Sequence, residues 1–277
     1  PQRIFIYGEM KREMTHLTTL PPWVILHVPH DSTIIPATAR NHFTLSDAEL
    51  DDEILKMTDH FTKDLFADGV RDAQVIAAPI SRLVVDMERF EDDSEEPMSK
   101  IGMGVIYTHT HNGKMLRREI NQEERENLLN EWYRPHHQLL SYAVEKSVQC
   151  YNRCLIIDCH SFPRAALPYE NAVRINRPEL CIGTDDYHTP KELSDSLVLA
   201  FEDSGRSVSL NDPFSGSLVP KDYYHNDKRV ESVMIEVRRD LYMDEYTGLR
   251  KLNKFDVLRQ QIRVAVSAYC ENIDPKR

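Results

Sequence analysis

Two spacings of apolar residues alternate along the chain. Residues 23–27, 75–78, 155–158 and 233–237 form short, nearly continuous apolar runs rich in Val and Ile, which predicts strands buried on both faces. Residues 83–85, 104–108 and 208–210 read as further short strands. Between these runs the period lengthens to that of a helix. In residues 47–66, Leu50, Ile54, Met57, Phe61 and Leu65 fall on one helical face, and Ser46 with Glu49 forms a capping box at its start. Residues 121–148 carry a longer helical pattern, in which Pro135 imposes a kink or a break. Residues 193–201 and 255–270 complete the helices. Strands separated by helices predict an α/β fold: a central mixed, mostly parallel sheet with helices on both faces and functional residues where strands end.

Length and charge narrow the function. A chain of 277 residues, 41% hydrophobic and 29% charged, has the material for one large core, and a single domain over residues 1–277 is expected. No apolar run reaches the roughly 18–20 residues of a membrane span. Pro1 to Tyr7 show no basic region followed by a long apolar stretch, so no signal peptide is expected. The five cysteines, an odd number, are then expected as reduced thiols in the cytoplasm. Lys and Arg number 34 against 45 Asp and Glu, a formal net charge of −11. Such a chain is a poor partner for nucleic acid or an anionic membrane surface. An acidic small-molecule substrate would need a local cluster of Arg, acting against the global field.

Three polar clusters fall where strands are predicted to end. His30 follows Pro29 after the first strand, Asp158 and His160 close the strand at 155–158, and Glu236 with Arg238 and Arg239 closes the strand at 233–237. Strand alternation puts Asp158 and His160 on one side. Two imidazoles and a carboxylate converging at strand ends suit Zn²⁺ or another divalent metal, with one position open for water. A carboxylate beside that water would remove its proton. The third ligand stays open, with Asp31 and Asp59 competing for it. Asp59 is expected on the helix that follows the first strand.

Other groups carry weaker signals. His109 and His111 flank an Asn112-Gly113 turn, and His188 lies in a loop. His136 and His137 follow Pro135, about 100° apart on a helix, so both cannot easily serve one metal. In residues 81–90, Arg82, Val84 and Asp86 are expected on one strand face, with Arg89 in the loop beyond. This segment reads either as a salt bridge at the sheet edge or as a clamp for a substrate carboxylate, which the guanidinium fork matches. No Gly-x-Ser-x-Gly elbow, phosphate loop or dinucleotide fingerprint is present.

Several of these blocks, taken in order, resemble the N-formylglutamate amidohydrolase family. They are Pro29-His30, Thr58-Asp59, Arg82 with Asp86-x-x-Arg89, Asp158-x-His160-Ser161, and Glu236-x-x-Arg239 followed by Tyr242-Met243-Asp244. Pro135-His136, Gly183-Thr184 and residues 211–216 are similar to further blocks, and the resemblance spans about residues 24–245. It implies a fold like that of the zinc carboxypeptidases and hydrolysis of N-formyl-L-glutamate to formate and L-glutamate in histidine breakdown. Asp59, lying in a family block, becomes the first candidate for third ligand, ahead of Asp86. The implied site has His30, Asp59 and His160 on one Zn²⁺ per chain, with Asp158 orienting a ligand. Glu236 is the general base, and Arg82, Arg89 and Arg239 bind substrate carboxylates or polarise the scissile carbonyl. Two departures stand out. Thr33 occupies the place where zinc carboxypeptidases carry the Glu of His-x-x-Glu, and Glu88 replaces the Asn that usually precedes Arg89 in the family, where a carboxylate would repel an acidic substrate. The rival readings are a carboxypeptidase, a deacylase of another N-acyl amino acid, or a metal-free binding module on the same fold.

Overall fold

The computed structural model describes residues 17–170 and 176–272. The start of the chain, where no export signal is expected, lies outside the described residues. The centre is a six-stranded sheet. Its strands are β1 (Val24–Val28), β2 (Gln74–Ala77), β3 (Cys154–Phe162), β4 (Leu180–Gly183), β5 (Val208–Leu210) and β6 (Val230–Arg238), in the spatial order β2-β1-β3-β6-β4-β5. All neighbouring pairs are parallel except β4 with β6. This is the expected mixed, mostly parallel α/β sheet.

The helices are α1 (Ala37–Arg40), α2 (Asp47–Met57), α3 (Thr62–Phe66), α4 (Gln122–Leu128), α5 (Arg134–Tyr151), α6 (Lys191–Asp203) and α7 (Leu252–Asn272). Alternation along the strands divides their residues between two faces. Leu26, Leu155, Ile157, Val233 and Ile235 pack with Leu193, Leu197 and Phe201 of α6 and Leu258 and Ile262 of α7. Ile25, Ile156 and Val230, on the other face, pack under Leu140, Val144 and Val148 of α5. Among the described residues, no helix is long and apolar enough to cross a membrane.

Three local expectations are revised. The helical pattern of residues 47–66 is split: Thr58 leaves the helix with extended backbone, and Phe61 takes a left-handed φ of 66°. The Asp59 N–H instead donates to the His30 carbonyl at 2.9 Å, so Asp59 lies in the break and not on a helix. The apolar run at 83–85 is not a strand but a buried turn, and residues 104–108 form no strand either. A side chain supplies the hydrogen bonds that a sheet would have provided, since Arg117 donates to the carbonyls of Leu83 and Val84. In the third case the helix does not break at Pro135: backbone from Gln122 to Tyr151 stays helical. Residues Leu129–Tyr133 widen into a π-helical stretch directly before Pro135, which has no N–H to donate to the preceding turn.

Candidate active site

The face of the sheet beneath α5 changes character toward the carboxyl ends of its strands. Register places His27 of β1 opposite Asp158 of β3, and His160 of β3 opposite Glu236 of β6. These side chains therefore continue the apolar rows Ile25, Ile156 and Val230 as a polar patch on the same face. Cys159, between Asp158 and His160, points to the opposite core. His30 enters from the loop after β1, and Asp59 from the break between α2 and α3.

A third segment, the turn at residues 81–89, faces the strand ends. Its backbone is anchored by the Asp86 N–H donating to Val105 O at 2.8 Å, His137 Nε2 to Met87 O at 2.9 Å, and Tyr133 Oη to Arg89 O at 2.8 Å. Arg117 is buried there with no carboxylate partner among the described residues, and burial pulls its pKa down to about 9. Asp86 Oδ1 accepts from the Glu88 N–H at 2.9 Å, which turns the Glu88 side chain toward the two histidines.

His30, Glu88 and His160 each bring one donor atom to a common point, all within 4.8 Å of one another. Glu88 Oε2 lies 3.0 Å from His160 Nε2 and 3.8 Å from His30 Nδ1. Neither nitrogen has an aligned hydrogen-bond partner, although both are buried. The opposite ring nitrogens are committed: His30 Nε2 donates to Asp86 Oδ1 at 2.8 Å, and His160 Nδ1 meets Asp59 Oδ2 at 3.1 Å. Imidazoles whose outer N–H is held by carboxylate, with the inner nitrogen bare and facing a carboxylate oxygen, form the arrangement that a zinc-type ion requires. The residues present thus fit a divalent metal.

The expected site residues separate into groups. Asp59 accepts from Arg239 Nη2 at 2.8 Å, from the Ser161 N–H at 3.2 Å and from His160. Its nearer oxygen is also 3.8 Å from His30 Nδ1. Asp59, expected as the third ligand, is thus bonded to Arg239, Ser161 and the outer nitrogen of His160, and Glu88 instead brings its donor atom to the common point with His30 and His160. Arg82 is bound through Nε and Nη2 to Asp86 Oδ2, at 3.1 and 2.8 Å, and Tyr107 Oη donates to that oxygen at 2.6 Å. Arg239 also donates to Ser161 and to the Lys56 carbonyl. Arg89 differs: its Nε has no hydrogen-bond partner, and the nearest carboxylate, Asp86, is 4.0 Å away. Asp31 lies beside His30 in sequence but outside the converging donors; burial pushes its carboxyl up to about 6.

The electrostatics reflect this crowding. Burial opposes a charge on His160, yet Glu88 and Asp158 raise its pKa well above the usual histidine range. Burial likewise opposes the Asp86 carboxylate, but Arg82 and His30 hold its pKa well below the usual range. Glu236 goes the other way. Burial pushes its carboxyl up to about 8, with His160 and Arg239 opposing and Asp59 and Glu88 adding to the rise. Its Oε2 has no hydrogen-bond partner. A desolvated carboxyl opposite His160 whose pKa lies this high changes protonation state near neutral pH.

A family model for N-formylglutamate amidohydrolase matches residues 23–243. The chain belongs to the N-formylglutamate amidohydrolase family. Among relatives, the N-formylglutamate deformylases of Pseudomonas putida and Pseudomonas aeruginosa are each 28% identical over 179 residues, 62% of this chain and 65% of theirs. The match thus spans a little under two thirds of those relatives' length. The crystal structure of N-formylglutamate amidohydrolase from Ralstonia eutropha JMP134 superposes with a TM-score of 0.77 at 23% identity, covering 92% of this chain and 96% of that one. That of gene product Atu2144 from Agrobacterium tumefaciens gives a TM-score of 0.59 at 20% identity, covering 88% and 90%. These two structures share the fold of this chain.

Sequence reasoning missed two members of the patch, Glu88 and His27. Glu88 registers in the sequence only as a departure from the family pattern, and His27 only as the end of the first strand, opening the polar cluster that holds His30, with no role assigned to it. A separate cavity of about 720 Å³, lined among others by Asn152, Thr184, His188 and Arg229, lies at the amino ends of β3 and β6, away from these groups.

Proposed function

We propose that the protein is a metal-dependent amidohydrolase that removes the acyl group from an N-acylated acidic amino acid, N-formyl-L-glutamate first among them. The observation that carries this reading is the buried meeting of His30, His160 and Glu88 beside the unpartnered carboxyl of Glu236. Family membership supports the choice of reaction and substrate. His30, Glu88 and His160 would hold the metal, with Asp86 and Asp59 orienting the two imidazoles from behind. A divalent ion there supplies Lewis acidity to the amide carbonyl and acidity to water.

The chain's own groups do the rest. Glu236 takes a proton from water and returns it to the departing amine nitrogen, a double role suited to a carboxyl whose basicity burial has raised. Arg89 binds a substrate carboxylate through its uncommitted guanidinium, replacing some of the attraction that a chain of charge −11 denies to an anion. Arg82 and Arg239, already bonded to Asp86 and Asp59, support the metal-facing groups and make a secondary contribution to binding.

The test is a panel of N-formyl and N-acetyl derivatives of glutamate, aspartate and leucine, with a C-terminal dipeptide, assayed on zinc-reconstituted protein. The expected order puts N-formyl-L-glutamate first in kcat/KM. Release of leucine from the dipeptide with no turnover of any N-acyl amino acid would instead make it a carboxypeptidase.

A further inference from the structure

Resting on the reading that His30, Glu88 and His160 hold a divalent ion, we propose that the centre is binuclear: a second divalent ion is held by His27, Asp158 and Glu88, with the Glu88 carboxylate bridging the two. His27 and Asp158 face each other across the parallel pair β1 and β3, and are 0% and 2% exposed. His27 Nδ1 lies 2.8 Å from Asp158 Oδ1 and 3.8 Å from Glu88 Oε1. The three donor atoms lie within 4.8 Å of one another. Neighbouring donors around a tetrahedral zinc ion with ordinary bond lengths are roughly 3.3 Å apart, a value these separations bracket.

The disposition of Glu88 is the strongest argument. Its Oε2 faces His30 and His160, while its Oε1 faces His27, buried and without a hydrogen-bond partner. A carboxylate that turns each oxygen to a different imidazole cluster has the form of a bridge between ions roughly 3.5–4 Å apart. The two clusters adjoin, since Asp158 Oδ1 is also 3.2 Å from His160 Nε2. Their outer sides are tied down. His27 Nε2 shares a hydrogen bond with His136 Nε2 at 2.9 Å, and Asp158 Oδ2 accepts from the Leu218 N–H at 3.2 Å. The remaining atoms, His27 Nδ1 and Asp158 Oδ1, point inward. Among the described residues, no Lys or Arg pairs with Glu88 or Asp158, whereas Asp86 and Asp59 have Arg82 and Arg239. With no Lys or Arg beside them, these carboxylates are balanced only by histidines, and a divalent ion can take over that charge while the imidazoles bind it as neutral ligands. Two imidazoles on one side and one on the other favour ions such as Zn²⁺, Co²⁺ or Mn²⁺ over Ca²⁺ and Mg²⁺.

The competing role for His27 and Asp158 is a hydrogen-bonded pair that only positions His160, and metal counting separates the two. The full chain, stripped with a chelator and titrated with Zn²⁺, would be examined by native mass spectrometry. Two ions per chain are expected in the wild type, and one in His27→Asn and in Asp158→Asn, with the fold checked by circular dichroism. One ion in the wild type would overturn the second site and leave the first standing; none would overturn both. Two ions in all three proteins would place the second elsewhere and overturn the proposal. Should neither variant fold, electron paramagnetic resonance of the wild type titrated with Co²⁺ decides. Spins bridged by Glu88 couple, so the signal falls on adding the second equivalent, whereas additive signals would overturn the bridge.

Discussion

His30 donates its Nε2 proton to Asp86 across 2.8 Å, and this single bond decides which nitrogen of the ring is left to bind anything else. With Nε2 protonated, Nδ1 carries the lone pair that faces Glu88. Asp86 is itself held by Arg82 and Tyr107, so the chain of command runs from the turn at residues 81–89 to the ring. Removing an outer partner of this kind weakens metal affinity by roughly 10–100-fold. Asp86→Asn is therefore expected to raise the Kd for Zn²⁺ by that factor in competition with a chelating dye. An unchanged Kd would show that the bond is not needed to orient His30.

The three arginines should respond differently to truncation. Arg89→Ala is expected to lower kcat/KM by at least about 30-fold, from the roughly 2–5 kcal/mol of a lost buried charge pair, with little change in melting temperature. Arg82→Ala, by contrast, strands Asp86, which is fully buried, and should cost about 3–5 kcal/mol of stability in denaturant titration. Equal kinetic losses in both variants without destabilisation of Arg82→Ala would contradict this division.

Glu236→Gln is expected to keep both fold and bound metal while kcat falls at least about a hundredfold. The carboxylate form is the active base, so activity should rise with pH through its pKa. Without metal, burial sets that pKa at about 8. A bound divalent ion adds to the downward pull of His160 and Arg239, so the acidic limb of the kcat/KM profile should have its midpoint below about 8 and vanish in Glu236→Gln. A variant with the same limb would move the base elsewhere.

A stability effect should appear at α5. Burial pushes His136 down to about 2 and His137 down to about 4, with nearby His27 adding to both shifts. Both rings are neutral in the folded protein, while the unfolded chain protonates near 6.5. The unfolded state then binds more protons as pH falls below about 6.5, so these groups' stability is present above that value and lost toward pH 4. At pH 5 the loss from His137 alone should approach roughly 2 kcal/mol. His137→Gln, which can still donate to the Met87 carbonyl, should show a shallower decline between pH 6.5 and 5 in urea titrations at fixed metal content. An identical slope would mean that His137 does not carry this linkage.

Much of the architecture was readable because it rests on burial patterns. The runs at β1, β3 and β6 are apolar on both faces, and α6 and α7 have clear helical periods. The failures share one physical cause, a tertiary contact overriding a local pattern. Apolar spacing continues through Phe61, yet the hydrogen bond from Asp59 to the His30 carbonyl breaks the helix there. Leu83, Val84 and Val85 look like a strand because they are buried, but Arg117 supplies the carbonyls with partners that no sequence period announces. His30, His160 and Glu236 were visible as strand-end polar residues. Glu88 was not, since its place depends on how a turn without regular structure folds back over the sheet.

The sharing of one sheet face by His27, Asp158, His160 and Glu236 also bears on how the protein assembles. Sliding a strand by a single residue exchanges its two faces. A slipped β3 would carry Asp158 and His160 under α6 and α7, among the apolar side chains of Leu193, Leu197, Phe201 and Leu258. It would simultaneously bring Leu155 and Ile157 into the polar cluster. The first of these alone costs several kcal/mol per ionisable group. The reactive centre therefore acts as a proofreading mark for strand pairing: misaligned sheets are rejected by the very residues that make the aligned one useful.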